Sequence, residues 1–472
     1  MRFLIDRSNR RMAFSVLTVL AGVSGLAAVG MPGASSAPAA PEWEVLSPYP
    51  DRIVLTWSQD PTTTQSVTWR TDPTVTNPVA QYALASPGPR FEIDAVTMPA
   101  RSEVVDFRSV PDAGVVAKYH SVTFHDLSPD TLYAYRVGDG ERWSEWFHFR
   151  TASREPEPFS FIYFGDAQND ILSLWSRAIR SGYTAAPDAR FMVHAGDLVN
   201  SAHADGEWAE WFRAGGFIHA MVPSVPTPGN HEYRPITPED EEDEVRRLSV
   251  FWTPQFTLPE NGAKGLEESS YYMDYQGMRM VVMNSNERLE EQAVWLEGVL
   301  AQDPQKWTVV AFHHPVFSSG EGRDNPRLRS LWKPVLDRHG VDLVLQGHDH
   351  TYARGRSPAP ERNAFTGANA RDAEIGTMYV VSVSGAKMYQ FKPERWDDYE
   401  AKLDRQAENT QLFQVIRVAG DTLQYRAHTV VGETYDSFDL IKSDAGPNRL
   451  VDRTPASAAT RSLTDSPAYD RR

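Results

Sequence analysis

The chain has 472 residues, 41% hydrophobic and 23% charged, ordinary globular values that exclude a wholly disordered or collagen-like polymer. Its 63 acidic against 47 basic residues leave a formal net charge of −16, which provides no electrostatic footprint for a nucleic-acid scaffold. Cysteine is absent, so disulfides, thiolate metal sites and a cysteine nucleophile are excluded, and any metal must be held by His, Asp, Glu or Asn.

Residues 1–40 read as an export signal. Arg2, Arg7, Arg10 and Arg11 form a basic start, Met12 to Val29 is apolar apart from Ser and Gly, and small residues suited to cleavage follow near Ala37 or Ala40. Arg10-Arg11 loosely resembles a twin-arginine signal, so the expected route is Sec or twin-arginine export to a secreted or periplasmic location. No later stretch is long and apolar enough to span a bilayer, so stable membrane insertion is not expected after cleavage.

Residues 43–152 read as all-β. Ile53 to Trp57 and Ser66 to Arg70 are short β-branched and aromatic runs on either side of a turn-prone stretch, and Tyr133, Tyr135 and Val137 alternate with Ala134 and Arg136. Leu127 to Tyr133 resembles the corner of a fibronectin type III-like sandwich. From 158 to 445 the pattern changes. Apolar strand-like runs at Phe159–Phe164, Phe191–His194, Met221–Val225, Met280–Met283, Val309–Phe312, Val341–Leu345 and Met378–Val383 alternate with candidate helices at 171–182, 205–219, 287–302 and 327–339. This predicts an α/β layered domain. The acidic run Glu239 to Glu244 reads as a solvated insertion or helix start. Residues 446–472 lose periodicity and read as a disordered tail.

The chemistry gathers where strands end. Phe161–Phe164 runs into Gly165-Asp166, and Met192–His194 into Gly196-Asp197. Val225–Pro228 runs into Gly229-Asn230-His231-Glu232, Val309–Phe312 into His313-His314, and Leu343–Gln346 into Gly347-His348-Asp349-His350. The carboxyl edge of an open α/β sheet is where ligands bind, and glycine before a ligand permits the sharp turn that aims a side chain inward. A mixed nitrogen and oxygen donor set without sulfur suits Fe, Zn or Mn.

These motifs in this order resemble the calcineurin-like metallophosphoesterases. With the preceding sandwich, the chain resembles the purple acid phosphatases over about residues 43–440. The resemblance implies an all-β fibronectin type III-like sandwich followed by an α/β (layered α-β-β-α) catalytic domain with two metal ions. Asp166 and His350 are implied to bind the first ion, Asp197 to bridge, and Asn230, His313 and His348 to bind the second. His231 is implied to protonate the leaving oxygen. The implied activity is hydrolysis of small phosphate monoesters by a hydroxide held between the metals. Phosphodiester hydrolysis on the same core is the alternative, and a non-catalytic exported binding protein is a further one. Three departures stand out. Asn200 occupies the position of the family's iron-ligating Tyr, which disfavours ferric iron and the purple colour, and Ala353 stands where the family often has Glu. The family's additional His downstream of Val-x-x-His has no counterpart in Ser318 to Arg323.

Overall fold

In the β-rich first region the strands pair into two antiparallel sheets. One has the order Asp51–Thr56, Gln65–Thr71, Val116–Phe124, Arg101–Asp106; the other Val96–Pro99, Val79–Leu84, Leu132–Gly138, Phe147–Arg150. Inward-facing Leu55, Val67, Trp69, Phe124, Tyr135, Val137 and Phe149 form the core between them. The corner is closed where the Ser128 backbone N–H donates to the Tyr133 hydroxyl at 2.9 Å. The computed structural model describes residues 41, 44–358, 372–392, 396, 398–399, 401–443 and 446–461. The expected signal segment 1–40 lies outside the described residues. No helix among the described residues is long and apolar enough to cross a membrane.

The second region is built on one extended sheet with two parallel sections. Phe159–Phe164, Met192–His194 and Ser224–Pro226 run parallel, as do Met278–Val282, Trp307–Ala311, Leu343–Gln346 and Asp372–Val381. Antiparallel strands Leu412–Ala419, Thr422–Thr429, Thr434–Ile441 and Asn448–Asp452 join them. Strand periodicity of two sorts the side chains by layer. Val281, Val310, Val344 and Val381 pack against Leu296 and Leu300 of helix Leu289–Ala301 and Trp332 and Leu336 of helix Pro326–Arg338. Their strand neighbours Met280, Val309, Leu343 and Val380 share a core with Phe161, Ile162, Leu412 and Ile416. On the first section, Ser176–Ala185 and Asp205–Gly215 supply Ile179, Trp208 and Trp211 to the same core. The layering is α-β-β-α, and a parallel bridge between Asp166 and Val383 brings the carboxyl ends of the two sections together.

Two expectations are corrected. The strand expected at Met221–Val225 is confined to Ser224–Pro226, because Phe217–Met221 is helical and Val222, preceding Pro223, turns extended as residues before proline do. The tail from 446 is not disordered at its start. Asn448–Asp452 pairs with both Asp372–Val381 and Thr434–Ile441, burying Leu450 and Val451. Two apolar residues carry too little periodicity to announce a strand, but a slot with a partner on each side satisfies every backbone group placed in it. Residues 462–472 lie outside the described residues.

The sandwich braces the second region near the site. Buried Arg70 takes Asp51 at 2.6 Å and Asp205 at 3.1 Å, and the Tyr135 hydroxyl donates to the Ala220 carbonyl at 2.6 Å. Asp205 opens the helix whose Glu207 accepts the backbone N–H groups of Asn200 at 2.6 Å and Ser201 at 2.9 Å. That contact fixes the loop following Asp197.

Candidate metal centre

All six residues read as ligands meet at the joined carboxyl ends. The ligand atoms of Asp166, Asp197 and His350 lie within 4.8 Å of one another, and all three residues are buried. A second set surrounds His313. Its Nε2 lies 3.1 Å from Asn230 Oδ1, 3.1 Å from His348 Nδ1 and 3.2 Å from Asp197 Oδ2, so the Asp197 carboxylate faces both sets. His348 Nδ1 is also 2.9 Å from Asn230 Oδ1. His314, not read as a ligand from the sequence, stands with His313 and His348 in a group of the same spacing, and its Nδ1 is 2.8 Å from the Ser285 hydroxyl.

Two of the imidazoles are aimed by a bond at their other nitrogen, which fixes the tautomer. His313 Nδ1 donates to the Ala195 carbonyl at 2.9 Å and His350 Nδ1 to the Lys387 carbonyl at 3.0 Å, leaving Nε2 of each turned inward. Asp166 Oδ1 accepts the His348 backbone N–H at 2.7 Å, while its Oδ2 is buried without a partner. Asp197 Oδ1 accepts the His231 backbone N–H at 2.8 Å. The backbone is held in a rare conformation here. Asp197, His348 and His350 have φ of 52°, 75° and 52°, a left-handed region that costs a residue with a Cβ about 1 kcal/mol or more. Gly229 and Gly347 make room for this packing: a Cβ on the first would overlap the Asp197 carboxylate, and one on the second the Asp166 carboxylate.

The electrostatics are those of a site short of positive charge. Burial, with Asp197 adding and His313 opposing, lifts Asp166 to about 7. Burial and Asp197 lift Glu232 to about 8. Burial opposes protonation of His313, yet Asp197 and Asp166 outweigh it and raise the imidazole to about 9. Among the described residues no lysine or arginine pairs with Asp166, Asp197 or Glu232. Carboxylate, amide and imidazole groups turned towards one another, two of the imidazoles with their second nitrogen committed to a carbonyl, are the donor set of bound cations, which would displace the His313 Nε2 proton. The residues present fit a pair of metal ions.

A family profile described as "Purple acid Phosphatase, N-terminal domain" matches residues 50–151, and one described as "Calcineurin-like phosphoesterase" matches residues 159–352. The chain belongs to the purple acid phosphatase-like calcineurin-type phosphoesterases. It is therefore a hydrolase of ester bonds, and a dinuclear metal centre is its cofactor. The zebrafish (Danio rerio) acid phosphatase type 7 is 28% identical over 70% of this chain and 79% of its own length. Purple acid phosphatase 21 of Arabidopsis thaliana is 28% identical over 50% of this chain and 53% of its own, so the chain spans only about half of that relative. Among solved structures, a purple acid phosphatase from yellow lupin (Lupinus luteus) seeds matches with a TM-score of 0.67 at 20% identity, covering 84% of this chain and 75% of that one. At that identity the likeness is one of fold.

His231 lies at the rim of this phosphoesterase site, half-buried. Its Nδ1 donates to the Asn200 carbonyl at 2.6 Å, leaving Nε2 free. Burial holds its pKa below the ordinary value, with Asp197 and the Asn200 carbonyl opposing. Asn200 thus serves through its backbone.

Three supports were not read from the sequence. Glu232 accepts four backbone N–H groups, from Asp197, Leu198, Val199 and Gly229, at 2.7–3.2 Å, and so ties two ligand loops together. Its place at the end of Gly-Asn-His-Glu was the available signal. Asp349, between His348 and His350, accepts from Ser318 and Ser319 and faces Arg323 at 3.3 Å, anchoring the loop over the site. Gln168 touches both Asp197 and His350 and had no motif to mark it.

Proposed function

We propose that the protein is an exported phosphatase that hydrolyses small phosphate monoesters. Asp166 and His350 hold one metal, Asn230, His313 and His348 the other, and Asp197 both. The observation that carries this is the position of the Asp197 carboxylate, facing Asp166 and His350 on one side and His313 on the other. Fe, Zn or Mn suits this donor set. When bound, the metal pair supplies Lewis-acid polarisation of the phosphoryl group and an activated water.

The chain's own residues supply the rest. The Asn200 carbonyl takes the Nδ1 proton and orients the His231 ring, so that in the imidazolium form Nε2 is the nitrogen able to give a proton to the departing oxygen, leaving the ring neutral. The His231 backbone N–H holds Asp197 Oδ1 and leaves Oδ2 for the metals. Monoesters are favoured over diesters because the relatives named above are phosphatases. The basic, apolar and small-residue order of residues 1–40 supports export.

The test is metal analysis of the purified protein together with hydrolysis of aryl phosphate mono- and diesters. Two ions per chain and faster monoester turnover are expected. Faster diester turnover would move the substrate to that class. For export, a reporter fused to residues 1–40 should appear outside the cytoplasm, and its retention there would remove that part of the proposal.

A further inference from the structure

The segment that follows strand Asp372–Val381 runs past the metal centre and is tied to two ligand loops. The backbone N–H groups of Ser384 and Gly385 donate to the Asp166 carbonyl at 3.2 and 2.6 Å. The Tyr389 N–H donates to the His350 carbonyl at 3.1 Å, and the Lys387 carbonyl accepts His350 Nδ1 at 3.0 Å. A Cβ on Gly385 would crowd the carbonyl oxygens of Asp166 and Ala167 at 2.8 Å, so this approach needs glycine. All four bonds are made on the segment's side by backbone. They place the Lys387 side chain without using it.

That side chain is half-buried, and its ammonium has no hydrogen bond or ion pair among the described residues. It lies 5.5 Å from the centroid of the Tyr389 ring, a contact that steadies a cation without neutralising it. The Tyr389 ring in turn packs on His350 with centroids 4.7 Å apart. Burial foremost, and then the charge of Lys387, hold His350 below the ordinary histidine value, and the same two influences act downward on His231. One ammonium thus stands near both a ligand of the first ion and the proton donor proposed above. The other cations nearby are engaged elsewhere. Arg323, 5.2 Å from the same ring, gives Nη2 to the His348 carbonyl at 2.6 Å and Nε to Asp349 at 3.3 Å. Arg234 is exposed and reaches the Asn200 carbonyl at 3.5 Å.

A phosphate monoester dianion carries three non-bridging oxygens, and a diester monoanion carries two. An ammonium on a flexible stem is a point-charge donor suited to such an oxygen, and bonds between charged partners are the strong ones. We propose that the Lys387 ammonium binds the non-bridging phosphoryl oxygen that a monoester has and a diester lacks, and so sets the preference for monoesters. The inference rests on the phosphatase reading above.

The experiment compares metal-loaded wild type, Lys387→Met and Lys387→Arg. It measures metal content, calorimetric binding of inorganic phosphate, and kcat/KM for aryl phosphate mono- and diesters. Lys387→Met should keep both ions and bind phosphate about 10–100-fold more weakly, the range for losing a hydrogen bond between charged groups. Its monoester kcat/KM should fall by a similar factor, with a change of less than about threefold on diesters. Lys387→Arg, which keeps the charge, should recover most of the phosphate affinity. Unchanged phosphate affinity in Lys387→Met, or an equal fall on both ester classes, overturns the proposal. Loss of metal from Lys387→Met also overturns it, since the residue would then support His350 rather than touch substrate. A wild type that hydrolyses neither ester class would instead overturn the phosphatase reading itself. Should Lys387→Met fail to fold, Lys387→Gln carries the same test.

Discussion

Two buried polar clusters lie a few residues apart in this chain and solve opposite problems. Around Arg354, a fully buried guanidinium meets Asp436 through Nε at 2.9 Å and Nη2 at 3.0 Å, with Asp404 at 3.5 Å and Asp452 at 3.4 Å. Tyr352 and Thr454 donate their hydroxyls to the same Asp436 carboxylate at 2.6 and 2.7 Å. The Arg354–Asp436 pair closes its charge and hydrogen bonds within the protein. Around Asp197 they do not close: one carboxylate oxygen has no partner, histidine nitrogens face carboxylate and amide oxygens, and Asp166 and Glu232 are held far above ordinary carboxylate values. A buried cluster that balances itself is structure; one that needs charge from outside is a binding site.

The sharpest break in that contrast is Asp197→Ala. It removes the carboxylate common to both ligand sets, so binding of both ions and all turnover should be lost, read by metal analysis and aryl phosphate hydrolysis. Full activity in chelator-treated, metal-stripped wild type would contradict the contrast from the other side.

His231→Ala should retain both ions while turnover falls by roughly 10²–10⁴-fold, the usual cost of losing an acid–base group. The loss should shrink for esters with a very good leaving group, which needs no proton. Loss of metal from this variant would make His231 a support rather than an acid.

On the self-balanced side, Arg354→Met should leave metal affinity unchanged and destabilise the fold by about 3–5 kcal/mol, because it strands Asp436 in the interior. Denaturant unfolding monitored beside zinc titration separates the two effects.

The smallest effect expected in ordinary assays is spectroscopic. A phenolate gives ferric iron its intense visible charge-transfer band and an amide does not, so the wild type should lack that band even when iron-loaded. Asn200→Tyr should gain the band in an oxidised, iron-loaded sample. An intense purple wild type would mean that another residue supplies a phenolate.

A pH dependence lies outside both clusters. His120 is buried between the hydroxyls of Thr71 and Ser102, each 2.8 Å from a ring nitrogen, and burial lowers its pKa from 6.5 to about 4. Between those values the unfolded chain binds the proton and the folded one does not, so this histidine's contribution is intact above pH 6.5 and is lost as pH falls towards 4. His120→Gln should flatten the fall in melting temperature over that window.

The helices Leu289–Ala301 and Pro326–Arg338 and the gathering of Asp, Asn and His at five strand ends could be read in advance, for a local reason. Period, glycine punctuation and residue chemistry at a strand end are written along the chain, and five strand-end motifs in a fixed order leave few other readings. The strand Asn448–Asp452 was not legible, because its stability comes from two neighbours distant in sequence. Nor was the role of Asn200. Its residue type excludes a phenolate, but its carbonyl became the anchor of His231 only through the fold.

By itself the sequence determined the alternation of strands and helices in the second region, the absence of sulfur ligands and which side chains were available to hold metal, since these follow from residue type and spacing. Only the tertiary structure decided that the Asp197 carboxylate faces both ligand sets, that Glu232 ties their loops together and that Gln168 points at the first of them. Those are matters of direction over a few ångströms. They are set by backbone bonds between segments up to 182 residues apart, as between His348 and Asp166, and no local pattern encodes them.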